Sequence, residues 1–211
     1  MNYLDIKKSK FYNETYKEIE ELKKNFPVNH GFKHVNHVIE YAKSLANLYN
    51  LNNQQRKLLY IACALHDVGY IKGREEHAAS GSEIAREFLA NSDLKPQEID
   101  VVCNAIASHG GKKREDFLDP VSRCLAIADK MDFTRRRYDL KNMAHDHVFK
   151  TILETDLRIE DDCYNFDIIA SSDFKKDEFN DDYFGAKLNR FLGLLSGTFG
   201  MTYKINFIIK K

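Results

Sequence analysis

A mainly helical domain followed by a small mixed α and β element is the fold class this sequence predicts, and three observations carry the prediction. Apolar residues recur with a 3.6-residue period as far as about Asp146. Helix start signals punctuate that region: Asp119-Pro120 supplies a cap followed by proline at the first helical position, and Pro96 with Glu98 marks another start. After His147 the period shortens to alternation, as in Met201, Tyr203, Ile205, Phe207 and Ile209, which is the pattern of a half-buried strand.

The elements follow in order. Residues 10–26 read as a first helix, ended by Pro27 and Gly31. Further helices are expected near 33–49, 53–66, 77–91, 96–108 and 120–131. Residues 151–159 and 164–171 form two strand-like runs around Glu160-Asp-Asp-Cys163, a plausible hairpin. Residues 179–195 return to helical spacing at Tyr183, Phe184, Leu188, Phe191, Leu192 and Leu195, and 201–209 make a last strand. The expected division is a helical domain over 1–147 and a β-β-α-β element over 148–211.

The composition excludes several classes. Lys plus Arg and Asp plus Glu both total 32, so no net charge draws the chain to nucleic acid or an anionic membrane. No apolar run approaches ~20 residues, so no membrane-spanning helix is expected. The first residues, Met1-Asn-Tyr-Leu-Asp-Ile-Lys-Lys8, lack the apolar core of a signal peptide. Cys63, Cys103, Cys124 and Cys163 have no C-x-x-C spacing and read as buried free thiols, which places the expected location in a reducing cytoplasm.

Chemistry concentrates at helix ends. His66-Asp67 stands directly after the apolar run from Leu58 to Leu65, where an unpaired carboxylate is costly unless something binds it. His34 shares a face with Val38, Tyr41, Ala42 and Leu45, and His77 aligns with Gly81, Ile84 and Phe88. His109 closes the series Ile99, Val102, Ile106, and Asp129 follows Val121 and Leu125. All six candidates therefore point inward. Gly81 would let another backbone approach closely. His145-Asp146-His147 repeats the dipeptide without an apolar run before it and reads as polar surface, His30 as a loop histidine and His37 as a helix-surface residue near the others.

The segments H34-V-N-H-V-I-E-Y-A42, A64-L-H-D-V-G69, H77-A-A-S-G-S-E-I-A85, A107-S-H109 and A126-I-A-D129 resemble the HD-domain metal-dependent phosphohydrolase superfamily. The resemblance covers roughly Pro27 to Arg137. Its ordered H…HD…H…H…D pattern is specific, whereas the dipeptide alone is not. It implies an HD-type helical bundle in which His34, His66, Asp67 and Asp129 hold one metal and His77 and His109 hold a second, with Asp67 bridging. Six protein ligands also exceed the four of a tetrahedral site. Imidazole with carboxylate suits iron or manganese best, with cobalt, zinc, nickel or magnesium as other candidates. Two such ions about 3.5–4 Å apart would activate a hydroxide for attack on a phosphate ester or anhydride, including that of a nucleotide.

Tyr70 departs from the pattern, since many members carry Lys after HD-x-G; Lys72 or Arg74 could supply that charge instead. Arg135-Arg136-Arg137 and Gly110-Gly111-Lys112-Lys113-Arg114 are further candidates for gripping substrate phosphate. The assigned catalytic set is thus Asp67, Lys72, Arg135 and Arg136, acting on a small phosphorylated molecule. A mixed-valent di-iron oxygenase and a non-catalytic nucleotide-binding HD module are the alternatives. A three-stranded sheet leaves edges that proteins cover or pair, so the C-terminal element is also a candidate homodimer contact.

Overall fold

The computed structural model describes residues 1–22, 30–137 and 149–210. The dipeptide repeat at His145-Asp146-His147, the helix stop at Pro27 and the expected boundary at 147/148 lie outside the described residues. Among the described residues the chain divides into two compact units, one running to Asp129 and one from Lys130 onward.

The first unit is helical: α1 (Tyr3–Lys8), α2 (Lys10–Leu22), α3 (Phe32–Leu48), α4 (Asn53–Leu65), α5 (His77–Leu89), α6 (Pro96–Ser108) and α7 (Pro120–Met131), the last ending in the second unit. Local chemistry sets the boundaries. The Asn52 side chain accepts from the Gln55 N–H while the Gln55 side chain accepts from the Asn52 N–H, a reciprocal cap that starts α4. Asp119 accepts from the Ser122 N–H at 2.7 Å ahead of Pro120, as the sequence signal requires. The short α1 carries an analogous cap between Asn2 and Asp5, which the sequence reading passed over.

α4 packs on α3 and α6, and α5 packs on α6 and on a short 3-10 helix at Val68–Lys72. The core combines aliphatic side chains, with Leu45, Leu59, Ile61, Leu65, Ile106 and Leu125 almost wholly removed from water, and the buried rings of Tyr12, Tyr16 and Phe117. At ~1.5–3 kcal/mol for each large apolar side chain, this burial is what fixes the helix ends against one another. Tyr16 ties α2 to the last turn of α4 by donating its hydroxyl to the Ala64 carbonyl at 3.0 Å. The helix ends that carry candidate ligands are therefore held from several sides.

The second unit holds a three-stranded sheet in the order β1 (Ile152–Glu160), β2 (Cys163–Ala170), β3 (Thr202–Ile209). β1 and β2 form an antiparallel hairpin with Leu157 opposite Phe166. Asp161 and Asp162 both take positive φ (50° and 54°), as a two-residue turn matched to strand twist demands. β3 pairs parallel to β2, so residues 171–201 must cross over the sheet. That crossover contains α8 (Lys176–Asp181) and α9 (Tyr183–Phe199), where the sequence predicts one helix. The division falls at Asp182, whose side chain leaves the helix to accept the Phe184 N–H at 2.7 Å. Gly200, at φ +66°, closes α9 in the left-handed conformation.

β2 is the central strand, and Phe166, Ile168 and Ala170 are buried, as are Leu192 and Leu195 of α9. Its one buried charge, Asp167, is matched from both neighbours, by Arg158 Nε at 3.0 Å and Asn206 Nδ2 at 2.8 Å. The chain following α7 belongs to this unit: Thr155 donates its hydroxyl to the Met131 carbonyl, and the Arg135 N–H donates to the Ile152 carbonyl.

Candidate metal centre

Each of the four central histidines is delivered by a helix end or first turn. His34 lies in the first turn of α3, His66 and His109 cap the C-termini of α4 and α6, and His77 opens α5. Asp67 follows His66 into the 3-10 turn, and Asp129 sits near the end of α7. The turn can lie close to α5 because glycines face each other. A Cβ on Gly69 would come within 2.1 Å of the His77 carbonyl oxygen, and one on Gly81 within 3.3 Å of the Gly69 nitrogen.

The six side chains form two groups that share one carboxylate. In the first, His34 Nε2 lies 3.3 Å from Asp67 Oδ2, 3.2 Å from Asp129 Oδ1 and 3.2 Å from His66 Nε2. His66 Nε2 is also 3.2 Å from Asp67 Oδ2. In the second, His77 Nε2 and His109 Nε2 are 3.0 Å apart, and each is 3.8 Å from Asp67 Oδ1. Asp67 thus turns one oxygen to each group. The donor atoms of His34, His66 and Asp67, and those of Asp67, His77 and His109, are close enough for a single cation in each case. With bonds of about 2.1 Å, neighbouring ligand atoms are about 3.0–3.4 Å apart, a spacing that these first-group distances meet.

The histidines' other ring nitrogens reveal what these contacts are. Nδ1 of His66, His77 and His109 faces the carbonyls of Cys63 (2.9 Å), Arg74 (2.6 Å) and Ile106 (2.6 Å). A carbonyl only accepts, so each Nδ1 carries a proton, and in the neutral form of each ring Nε2 is a bare lone pair. The 3.0 Å approach of His77 to His109 therefore brings two acceptors together, with the Asp67 carboxylate beside them. Asp67 Oδ2 is itself buried with no hydrogen-bond donor. Converging acceptors of this kind suit a cation, and their nitrogen and carboxylate chemistry suits a transition metal.

Charge states agree with that role. Burial alone would raise the Asp67 carboxyl; with protons on the facing ring nitrogens, the charge of His66 and hydrogen bonds from His34 and His66 outweigh it and hold it well below the ordinary range. Burial, followed by repulsion from His66, pushes His109 down to about 3. An unfolded histidine titrates near ~6.5. Between those values the unfolded chain binds a proton that the folded chain refuses, so folding stability falls as pH drops through that window. The metal-free protein should lose thermal stability as pH falls below ~6.5, and His109→Gln should flatten that slope. Equal slopes would remove His109 from the explanation.

The remaining candidates are placed differently. Lys72 is exposed at the end of the 3-10 turn. Arg135 and Arg136 are exposed and belong to the second unit, while Arg137 is buried and donates from Nη1 to the Asp132 carbonyl. The Lys112-Lys113 loop is tied down by Asp116, whose carboxylate accepts from both backbone N–H groups at 2.8 and 3.2 Å. All four cysteines are free and buried, and burial raises the Cys63 and Cys124 thiols, the latter to about 12. His30, read from sequence as a loop residue, contacts the Tyr70 hydroxyl through Nε2 at 2.7 Å. Only the departure at Tyr70 signalled in advance that this corner differs.

Comparison with known proteins bears on the same region. The family described as HD domain matches residues 31–134. An uncharacterized protein of Clostridium beijerinckii is 32% identical over 106 residues, spanning 48% of this chain and 64% of that protein's length. A crystal structure described as a predicted HD superfamily hydrolase from an uncultured Thermotogales bacterium aligns with a TM-score of 0.48 at 22% identity, covering 63% of this chain and 74% of that one.

Proposed function

Through residues 31–134 the chain belongs to the HD-domain superfamily, and from that premise we propose that it is a metal-dependent phosphohydrolase cleaving a phosphate ester or anhydride. The observation that carries the proposal is the pair of imidazole lone pairs of His77 and His109 meeting at 3.0 Å beside the Asp67 carboxylate. His34, His66, Asp67 and Asp129 would hold one ion, and Asp67, His77 and His109 a second. Iron or manganese fits this set best. When bound, such ions supply Lewis acidity toward a phosphoryl oxygen and lower the pKa of water.

The chain's own residues do the rest. Asp67 fixes the relation of the two groups because both of its oxygens belong to one rigid carboxylate. The first group is nearly closed to water, whereas the His77 side chain is 21% exposed and gives the second group its access. That asymmetry assigns substrate entry to the His77 side. Lys72, Arg135 and Arg136 are the cations assigned to substrate phosphate, with Arg able to bind two oxygens at once. The proposed substrate is a small phosphorylated molecule, nucleotides among the candidates. Four free buried thiols favour a reducing cytoplasm, and no helix among the described residues is long and apolar enough to cross a membrane. The exposed Ile208 and Ile209 on edge strand β3 favour a homodimer through the second unit.

Metal analysis joined to a substrate panel tests the proposal. The purified protein should hold one to two equivalents of transition metal and release phosphate from at least one nucleotide or simple phosphomonoester. A chelator should abolish that release, and added manganese or iron should restore it. Failure to take up any metal on reconstitution would overturn the reading. Turnover that consumes dioxygen and releases no phosphate would replace it with the oxygenase alternative.

A further inference from the structure

Two side chains outside the candidate ligand set complete a circuit of ring contacts around it. Ring centroids of His34 and His66 are 5.1 Å apart, those of His66 and His109 5.3 Å, and those of His109 and His77 4.9 Å. From His77 the chain of contacts continues to Tyr70 at 4.3 Å, from Tyr70 to His30 at 3.9 Å, and from His30 back to His34 at 5.8 Å. Four members are candidate ligands. Tyr70 and His30 close the ring between the last ligand of one group and the first ligand of the other.

His77 is the ligand that most needs such support. Its side chain is the most exposed of the six. Its Nδ1 partner is the carbonyl of Arg74, which stands in the exposed segment 72–76. One hydrogen bond leaves the imidazole free to turn about the Nδ1···O line; a ring packed on its face removes that freedom. Tyr70 supplies that ring, inclined 36° to the imidazole, and is itself buried. It is anchored twice, by its N–H on the Asp67 carbonyl at 3.0 Å and by its hydroxyl on His30 at 2.7 Å. His30 packs almost flat against the same ring, inclined 26°. Tyr70 therefore links the backbone of the shared carboxylate, the entry to α3 and the ligand that opens α5.

We propose that Tyr70, backed by His30, is a positioning residue that sets the His77 imidazole plane and so determines affinity at the second ion position. The inference rests on the two-ion reading above and deepens it. Removing the outer partner of a metal ligand typically costs about 10–100-fold in metal affinity. Loss of the Tyr70 ring should fall in that range at the second position only, because His34, His66 and Asp129 keep their own contacts. Loss of the hydroxyl alone should cost much less, since the ring stays in place.

Stepwise titration of metal-free protein with Mn²⁺ by calorimetry, read together with the electron paramagnetic resonance signal of a coupled Mn²⁺ pair, is the test. Wild type should show two binding events and the coupled signal. Tyr70→Leu should keep the tighter event, weaken the other about 10–100-fold and lose the coupled signal, and Tyr70→Phe should largely restore both. Two unaltered events in Tyr70→Leu, or an equal loss of both, would overturn the inference while leaving the two-ion reading standing. A single event in wild type would instead refute the two-ion reading, and this inference with it. Should Tyr70→Leu not fold, His30→Ala decides: it keeps the ring and removes its backing, so a weakened second event upholds the proposal and an unaltered one overturns it.

Discussion

On the proposed two-ion phosphohydrolase reading, Asp67→Asn should empty both ion positions and lower phosphate release by about a thousandfold or more, while the metal-free protein should become no less stable. The first half follows from the carboxylate's place in both groups, Oδ2 among His34 and His66 and Oδ1 facing His77 and His109. Metal-derived stabilisation of a transition state amounts to several kcal/mol, and each ~1.4 kcal/mol is tenfold in rate. The second half has the opposite sign and makes the test discriminating. An amide NH2 can donate to bare imidazole nitrogens, which a carboxylate cannot. It also removes a buried oxygen that has no donor. Metal content, turnover and the Tm of chelated protein are the three measurements. A chelated Asp67→Asn protein that melts well below chelated wild type would show that the carboxylate is a structural ion-pair partner instead.

Gly69→Ala should be the most damaging small substitution in the first unit. The added methyl would meet backbone, the His77 carbonyl oxygen at 2.1 Å and the Gly81 nitrogen at 2.5 Å, and backbone cannot swing aside as a side chain can. Overpacking costs about 1–3 kcal/mol where atoms can relax and more where they cannot. A loss of about 3 kcal/mol corresponds to a fall of roughly 6–12 °C in Tm for a chain of this size. Because α5 moves as a unit, His77 moves with it, and binding at the second ion position should weaken as well. Gly197→Ala is the control: it lies within α9, nothing stands within 4 Å of its added Cβ, and alanine favours helix. Equal melting temperatures for Gly69→Ala and wild type would refute the close-contact account.

Much of this was legible in the sequence because it depends on local periodicity and capping. The stripe Val35, Val38, Ala42, Leu45 fixes which way α3 faces, and with it His34; Asp119-Pro120 fixes where α7 begins. The hairpin was legible for the same reason, since two aspartates between alternating runs specify a tight turn. What escaped was set by contacts between distant segments or by local chemistry that competes with periodicity. His30 looked like a loop residue because its partner, Tyr70, lies 40 residues away. The apolar spacing through Tyr183 hid the helix break, because Asp182 gains more from capping α9 than from continuing α8. The basic run at 135–137 reads as one feature, yet the structure buries Arg137 and exposes its two neighbours. Gly81 advertised a close approach, but only its partner at Gly69 shows what approaches.

The division of ligands between the two groups also has a kinetic side. His77, His109 and Asp67 come from a stretch that begins at residue 67 and ends at 109, whereas the other group cannot close until residue 34 meets residue 129. Loop-closure entropy rises with the logarithm of the enclosed length, by about 0.6 kcal/mol for each doubling. The longer span is more than twice the shorter, and folding slows as contacts become less local. The ligands of the His77 pocket all come from the stretch spanning α4 to α6, while the His34 pocket needs residues from α3 to α7. On loop length alone, the His77 pocket has the shorter loop to close.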